Sequence, residues 1–334
     1  MQGTRVVFLE RGRVEVEDFS VALVASHQAL IRTEVSAISA GTELTTLLGG
    51  RGTERYPSYP GYSNVGVVEE NGPEVTACKP GDRVITLGQH ASHFLVDLSS
   101  DRAAGQVYLE PVPAGVGAVE ASFAILGSIA MHGVRKAEPQ LMQSAVVIGQ
   151  GVIGQLIAQL ARLAGCSPVI GIDVFPLRLE KARQSGTRMV IDAVNMDVDA
   201  AVSAATHERG VDLGFDATRS PQTILTLMRI AAQSGKIIIV GSSPGKVAIS
   251  VYDELQLKEL TIVGAHQPKA PLVAHPYFAW TQGRNRLAFL DLLRDGLVRV
   301  DHLVTHRVAP HEAPRVYEMI REGGANWLGV VFTW

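Results

Sequence analysis

Three glycines and one carboxylate carry the most specific chemical signal in this chain. Residues 145–173 read AVVIGQGVIGQLIAQLARLAGCSPVIGID: an apolar strand, a tight turn, an amphipathic helix and a second strand ending on Asp173. Gly149, Gly151 and Gly154 stand at G-x-G-x-x-G spacing. In that pattern the first glycine makes the turn, the second lets backbone approach a pyrophosphate, and the third seats the helix on the sheet. The first amides of that helix, at Val152 and Ile153, then face the phosphates, as the helix dipole favours. Asp173 follows Gly154 by nineteen positions, where a carboxylate accepts hydrogen bonds from an adenosine ribose. A bound dinucleotide is the expected ligand. NAD(H) is expected over NADP(H), because a 2′-phosphate beside a carboxylate costs on the order of a few kcal/mol at surface-like dielectric. Arg178, five residues on, is the one nearby cation that could reach such a phosphate.

Ligands of open parallel sheets bind beyond the carboxyl ends of the strands. Asp216, Ala217 and Thr218 end one expected strand, and Gly241, Ser242 and Ser243 end the next, which puts Ala217, Gly241, Ser242 and Ser243 among the expected cofactor contacts. The elements that must position these groups follow from the pattern. From Ala145 onward, strands are expected at Ala145–Ile148, 169–172, 189–191, 213–216, 236–240 and 260–263. Helices are expected at 153–163, 177–184, 198–206 and 222–232. Alternation of this kind predicts a doubly wound parallel sheet. Residues 1–110 instead show strand patterns at 5–9, 13–16, 29–37, 65–69, Arg83–Thr86 and 93–96, separated by turn-rich segments. Strands without intervening helices predict a partly open barrel. A linking strand at 107–113 and a helix at 117–135 lead into the second pattern. The tail adds a helix at 286–292, a strand at 303–307, a helix at Ala313–Glu322 and a closing strand, GVVFTW, and is expected to complete the first domain.

Composition narrows the class. The 334 residues are 46% hydrophobic, and 30 basic against 33 acidic side chains leave a net charge of −3. No basic block predicts a nucleic-acid surface. No long apolar run predicts a membrane span, and the first residues lack a signal-like apolar core. Two cysteines, Cys78 and Cys166, do not make a disulfide scaffold and suit the cytoplasm.

The segments AISAGTE (37–43), PGYSNVGVV (60–68), PGDRV (80–84), the glycine fingerprint, Phe215–Thr218 and GKIIIVG (235–241) together resemble the medium-chain dehydrogenase/reductase superfamily, the fold of zinc alcohol dehydrogenases, polyol dehydrogenases and quinone oxidoreductases. The resemblance covers nearly the whole chain. It implies an α/β protein with a GroES-like, β-rich catalytic domain at 1–122 and 268–334, and a Rossmann domain with a six-stranded parallel sheet at 123–267. Where the zinc branch carries its catalytic cysteine this chain has Ala40. Where that branch has a histidine and glutamate after Pro–Gly it has Tyr62 and Ser63, and near Leu126–Gly127 no third ligand occurs. Catalytic zinc ordinarily takes three protein ligands, and the four-cysteine structural lobe is missing, so no zinc is expected. A replacement set drawn from Glu43, His90, His93 and His132 matches no ligand spacing.

The resemblance therefore implies nicotinamide chemistry in which protein hydroxyls, imidazoles or amides stabilise oxyanion charge. Thr42 matches the hydroxyl of the family's proton relay, and Tyr62 stands where a metal ligand would face substrate. Glu43 sits beside the catalytic turn, Ser63 is available to a hydroxyl network, and His132, with His90 and His93, is a candidate relay. The expected function is a metal-independent, NAD(H)-dependent oxidoreductase interconverting an alcohol and a carbonyl on a polyol, cyclitol or hydroxylated biosynthetic intermediate. Alternatives are an enone or quinone reductase and a noncatalytic nucleotide-binding sensor or assembly protein. The expected partners are a small-molecule substrate and a second copy of the chain (a homodimer, with a tetramer also open), with neither nucleic acid nor membrane.

Overall fold

The computed structural model describes residues 1–50, 52–99 and 109–334. They divide into two compact units: Met1–Leu126 with Ala270–Gly323 and Gly329–Trp334, and Gly127–Lys269 with Gly324–Leu328.

The first unit is built on the strand Gln28–Ala37, whose apolar positions Ala29, Ile31, Val35 and Ala37 are buried. One edge pairs antiparallel with Asn64–Asn71. The other is shared by His93–Asp97 over Gln28–Arg32 and by the terminal strand Gly329–Thr333 over Val35–Ala37. Val304–Val308, Arg83–Thr86 and Leu109–Pro111 extend the open sheet to seven strands, and Gln2–Glu10 with Arg13–Ser20 form a separate hairpin. The register that sets Ser36 opposite Asn64 brings the exit of one strand beside the entry of its neighbour. Ala37 N–H donates to the Ser63 carbonyl at 2.8 Å. The residues after Ala37 and those before Asn64 are thereby neighbours.

Two expectations about this unit change. The segment holding Thr42 and Glu43, read as a turn, is the first part of a helix, Ala40–Leu47. The helix expected over 117–135 is two, Ala118–Ala121 and Ala124–Ala137. They break at Ser122, whose hydroxyl turns back to the Val119 carbonyl at 2.7 Å while its own carbonyl accepts from Ser63 Oγ at 2.6 Å. The linking strand expected at 107–113 is described only from residue 109, and its first two residues lie outside the described residues.

In the second unit six parallel strands lie in the order Met189–Asp192, Val169–Asp173, Ala145–Ile148, Val211–Asp216, Ala231–Ile239, Thr261–Gly264. This is the doubly wound order, and its direction reverses between Ala145–Ile148 and Val211–Asp216. The strands are apolar on both faces because helices cover both. Val146, Ile170, Ile191, Leu227 and Ile237 form one core. The helix expected over 222–232 ends at Ile230, where Ala231 turns extended and joins the next strand. Lys258 Nζ stops that helix by donating to the carbonyls of Met228, Arg229 and Ala231 at 3.0, 2.7 and 3.1 Å. Three otherwise orphaned C-terminal acceptors are thus satisfied.

Candidate functional site

The glycine turn follows Ala145–Ile148 at the reversal point of the sheet. Its three glycines answer to different constraints. Gly149 has φ +91°, and a Cβ there would lie 2.8 Å from Thr218 Cγ2. At Gly154 a Cβ would fall 1.7 Å from the Gly149 carbonyl oxygen, so no side chain fits. Gly151 is subject to neither limit: its φ is −66° and a Cβ would meet nothing within 4 Å. The open space over Gly151 is where backbone would approach a pyrophosphate. Gly151 is also the N-cap of Val152–Leu163 and supplies no capping side chain. The first amides of a twelve-residue helix, including those of Val152 and Ile153, are left to an outside acceptor. These residues fit a dinucleotide.

Asp173 ends the neighbouring strand and is 6% exposed. Its carboxylate is more committed than its spacing suggests. Oδ2 accepts from Gln150 N–H at 2.6 Å, and Oδ1 accepts from Val174 and Phe175 N–H at 2.7 and 3.0 Å. A carboxylate offers about four acceptor sites, so capacity for ribose is left over. Arg178, expected as the cation that could reach a 2′-phosphate, lies back across the rings of Phe175 and Trp327, with Nη1 3.8 Å from Asp173 Oδ2. Burial pulls its pKa down, against the opposing influence of Asp173.

The strand ends at 216–218 and 241–243 meet. A Cβ on Gly241 would lie 2.1 Å from the Thr218 carbonyl oxygen, and Ala217 N–H donates to Ile148 O at 2.9 Å. The Ser243 hydroxyl donates to Asp216 Oδ2 at 3.2 Å, so it serves the turn, while Ser242 is exposed. His132, also in this unit, is 3% exposed, and burial, with Lys136 and His266, lowers its pKa to about 4. The imidazole is neutral at pH 7.

In the first unit the sheet register gathers hydroxyl groups. Gly61, at φ +103°, passes so close to His90 that a Cβ would sit 2.5 Å from its nitrogen, and the chain then delivers Tyr62. The Tyr62 phenol donates to Ser39 Oγ, and Thr42 Oγ1 is 3.5 Å from the same phenol. Ser63, its neighbour, points elsewhere, to Ser122. Beneath these hydroxyls Glu43 is buried. Its Oε1 accepts from Ser39 N–H at 2.7 Å; its Oε2 faces His90 Nε2 at 3.1 Å and accepts from the Tyr317 phenol. His90 Nδ1 is 2.8 Å from Ser36 Oγ, which also accepts from Trp334 Nε1 at 2.9 Å. Burial alone would raise the Glu43 pKa, but His90, Tyr317 and Ser39 outweigh it and hold the carboxyl below its ordinary value. Burial and the Glu43 charge push the Tyr317 phenol well above its own.

Sequence reasoning thus named Thr42, Tyr62 and Glu43, which do come together. Ser39, Tyr317 and Trp334 were not expected, and Glu43 and His90, grouped in the sequence only as members of a metal-ligand set that was set aside, pair directly with each other. A serine directly before a helix was the only local signal among these. The residues do not fit zinc. Ala40 and Tyr62 offer no ligand pair, both His90 nitrogens face protein groups, His93 is 3.4 Å from Glu69, and His132 belongs to the other unit. Among the described residues no group of three or more His, Cys, Asp or Glu could hold a metal ion.

A glycine turn at the reversal point of a parallel sheet in one unit, and a hydroxyl cluster on a β-rich sheet in the other, define the class of nicotinamide-linked oxidoreductases. Family models agree along the chain: residues 25–97 match the alcohol dehydrogenase GroES-like domain and residues 152–276 the zinc-binding dehydrogenase model. The chain belongs to the medium-chain dehydrogenase/reductase superfamily, in its zinc-type alcohol dehydrogenase-like branch. Among curated relatives, D-guloside 3-dehydrogenase of Escherichia coli (strain K12) is 26% identical over 254 residues, 76% of this chain and 71% of that one. Two solved structures share the fold. One, described as a zinc-binding dehydrogenase of Sinorhizobium meliloti 1021 bound to NADP, has TM-score 0.84 and 22% identity, covering 100% of both chains. The other, an alcohol dehydrogenase of E. coli CFT073 complexed with NADH, has TM-score 0.83 and 17% identity, covering 100% and 99%.

Proposed function

We propose that the chain is an NAD(H)-dependent oxidoreductase that interconverts a secondary alcohol and a carbonyl on a polyhydroxylated small molecule without catalytic zinc. The observation that carries this reading is the pairing of a dinucleotide turn with Ala40 and Tyr62 at the positions where the zinc branch places ligands. When bound, the nicotinamide supplies or removes hydride at the substrate carbon. Gly149 and Gly151 with the Val152 and Ile153 amides would hold the pyrophosphate, Gly154 lets the helix sit on that turn, and Ala217, Gly241 and Ser242 would border the cofactor. Asp173 selects NAD(H), since a 2′-phosphate would approach a carboxylate. Tyr62 is the proton donor to the substrate oxygen and Thr42 its hydrogen-bonding companion. A phenol is protonated near neutral pH, the state in which Tyr62 serves as the acid of carbonyl reduction. Polyols, cyclitols and sugars are the substrate class, in keeping with the guloside dehydrogenase relative.

The exposed edge strand Thr261–Gly264 supports a homodimer formed edge to edge. Among the described residues no helix is long and apolar enough to cross a membrane, and the cytoplasm is the compartment we assign. Titration of the protein with NADH and NADPH, then turnover of a panel of ketones, polyols and enones, tests the assignment. Tighter NADH binding is expected, with ketone reduction that chelators leave unchanged and that Tyr62→Phe lowers at least tenfold. Thr42→Val should lower it less. Activity confined to enones, or dependent on stoichiometric zinc, would overturn it.

A further inference from the structure

The geometry points to Ser39 as the residue that positions and reprotonates the Tyr62 phenol, held for that task by Glu43. The inference rests on the proposed role of Tyr62 and extends it to Ser39, a residue of the AISAGTE segment to which the sequence reading gave no role.

Ser39 occupies the N-cap of Ala40–Leu47, yet its side chain makes no cap hydrogen bond. A serine there ordinarily caps the second or third amide of the helix, worth about 1 kcal/mol. Here the hydroxyl instead takes the Tyr62 O–H. Tyr62–Thr42, at 3.5 Å, lies at the outer limit of a hydrogen bond, so Ser39 sets the direction of the phenol. Ser39 is in turn fixed from below. Its N–H is bound by Glu43 Oε1, and the other oxygen of that carboxylate is held by His90 and Tyr317. A local preference given up with its alternative partner built in is the pattern of a functional position.

A proton path follows. As the carbonyl carbon takes up hydride with its electron pair, the C=O π pair moves to oxygen. In one concerted shift that oxygen takes the Tyr62 proton, the Tyr62 oxygen takes the Ser39 proton and the half-buried Ser39 takes one relayed through water from solvent, so one solvent proton is consumed per turnover and no free serine alkoxide forms. The Tyr62–Ser39 hydrogen bond reverses its donor in the process, which needs only hydroxyl rotation.

Ser39→Ala, Ser39→Thr, Tyr62→Phe and the double variant Ser39→Ala/Tyr62→Phe test this in NADH-linked reduction of the best ketone of the panel. Ser39→Ala should lower kcat about tenfold or more while KM and the NADH Kd change less than about threefold, and Ser39→Thr should restore most of the rate. The double variant should be no slower than Tyr62→Phe alone. Unchanged kcat in Ser39→Ala, no rescue by threonine, or multiplying effects in the double variant would each overturn the inference while leaving Tyr62 in place. If Tyr62→Phe keeps full activity, or no ketone is reduced, the parent reading fails and this one with it.

Discussion

At the scale of single residues, the three glycines of the dinucleotide turn look equivalent in sequence and are not. Gly154 is required by the protein itself, since helix and turn meet at a distance that admits no Cβ. Gly151 is required by nothing in the chain, and in the proposed function it is the pyrophosphate that needs the space above it. Gly154→Ala should destabilise the fold by on the order of 3 kcal/mol through overpacking. Gly151→Val should leave the melting temperature within about 3 °C and weaken NADH binding at least about tenfold, close to 1.4 kcal/mol. Calorimetry and thermal unfolding of the two variants separate these outcomes. Equal NADH affinity in Gly151→Val would remove the pyrophosphate assignment.

At the scale of elements, the buried cluster around Glu43 ties the helix Ala40–Leu47 to the loop holding His90, to the helix Ala313–Glu322 through Tyr317, and to the chain end through Ser36 and Trp334. The folded carboxyl titrates below its ordinary 4.5. Its contribution is therefore full above that unfolded value and is lost as pH falls through the lower folded one. Urea unfolding between pH 5.5 and 3.5 should show the wild type losing stability relative to Glu43→Gln as pH drops. Parallel profiles would mean the carboxylate charge does not hold the cluster. His132 has the same sense. Its pKa, lowered from 6.5 to about 4, gives a neutral-state contribution that is complete above 6.5 and declines toward pH 4, and His132→Gln should flatten the stability profile across that window.

At the scale of the whole molecule, the edge strand Thr261–Gly264 pairs on one side with Ala231–Ile239, and Ile262, Leu257, Tyr252 and Val251 are exposed on or near it. The free edge of a sheet offers unpaired N–H and C=O groups to another chain. Sedimentation should give a dimer for the wild type and a monomer for Ile262→Asp with cofactor binding intact; a monomeric wild type would count against an edge-to-edge assembly.

Elements whose cause is local could be read from the chain before folding. The glycine turn, the six strands of the parallel sheet and the helix Ala313–Glu322 were readable because periodicity and turn chemistry act over a few residues. Helix ends were less so: the boundary at Ile230 depends on Lys258, and the break at Ser122 on Ser63. Thr42 and Tyr62 were legible through their motifs. Their arrangement was decided by tertiary structure, because strand register alone sets Ser39 beside Tyr62. Glu43 meets His90 and Tyr317 across 47 and 274 positions of chain, a separation that no local pattern encodes. Asp173 illustrates both sides: its position followed from spacing, while the three amides that bind it exist only once the strand, the turn and the next helix have folded around it.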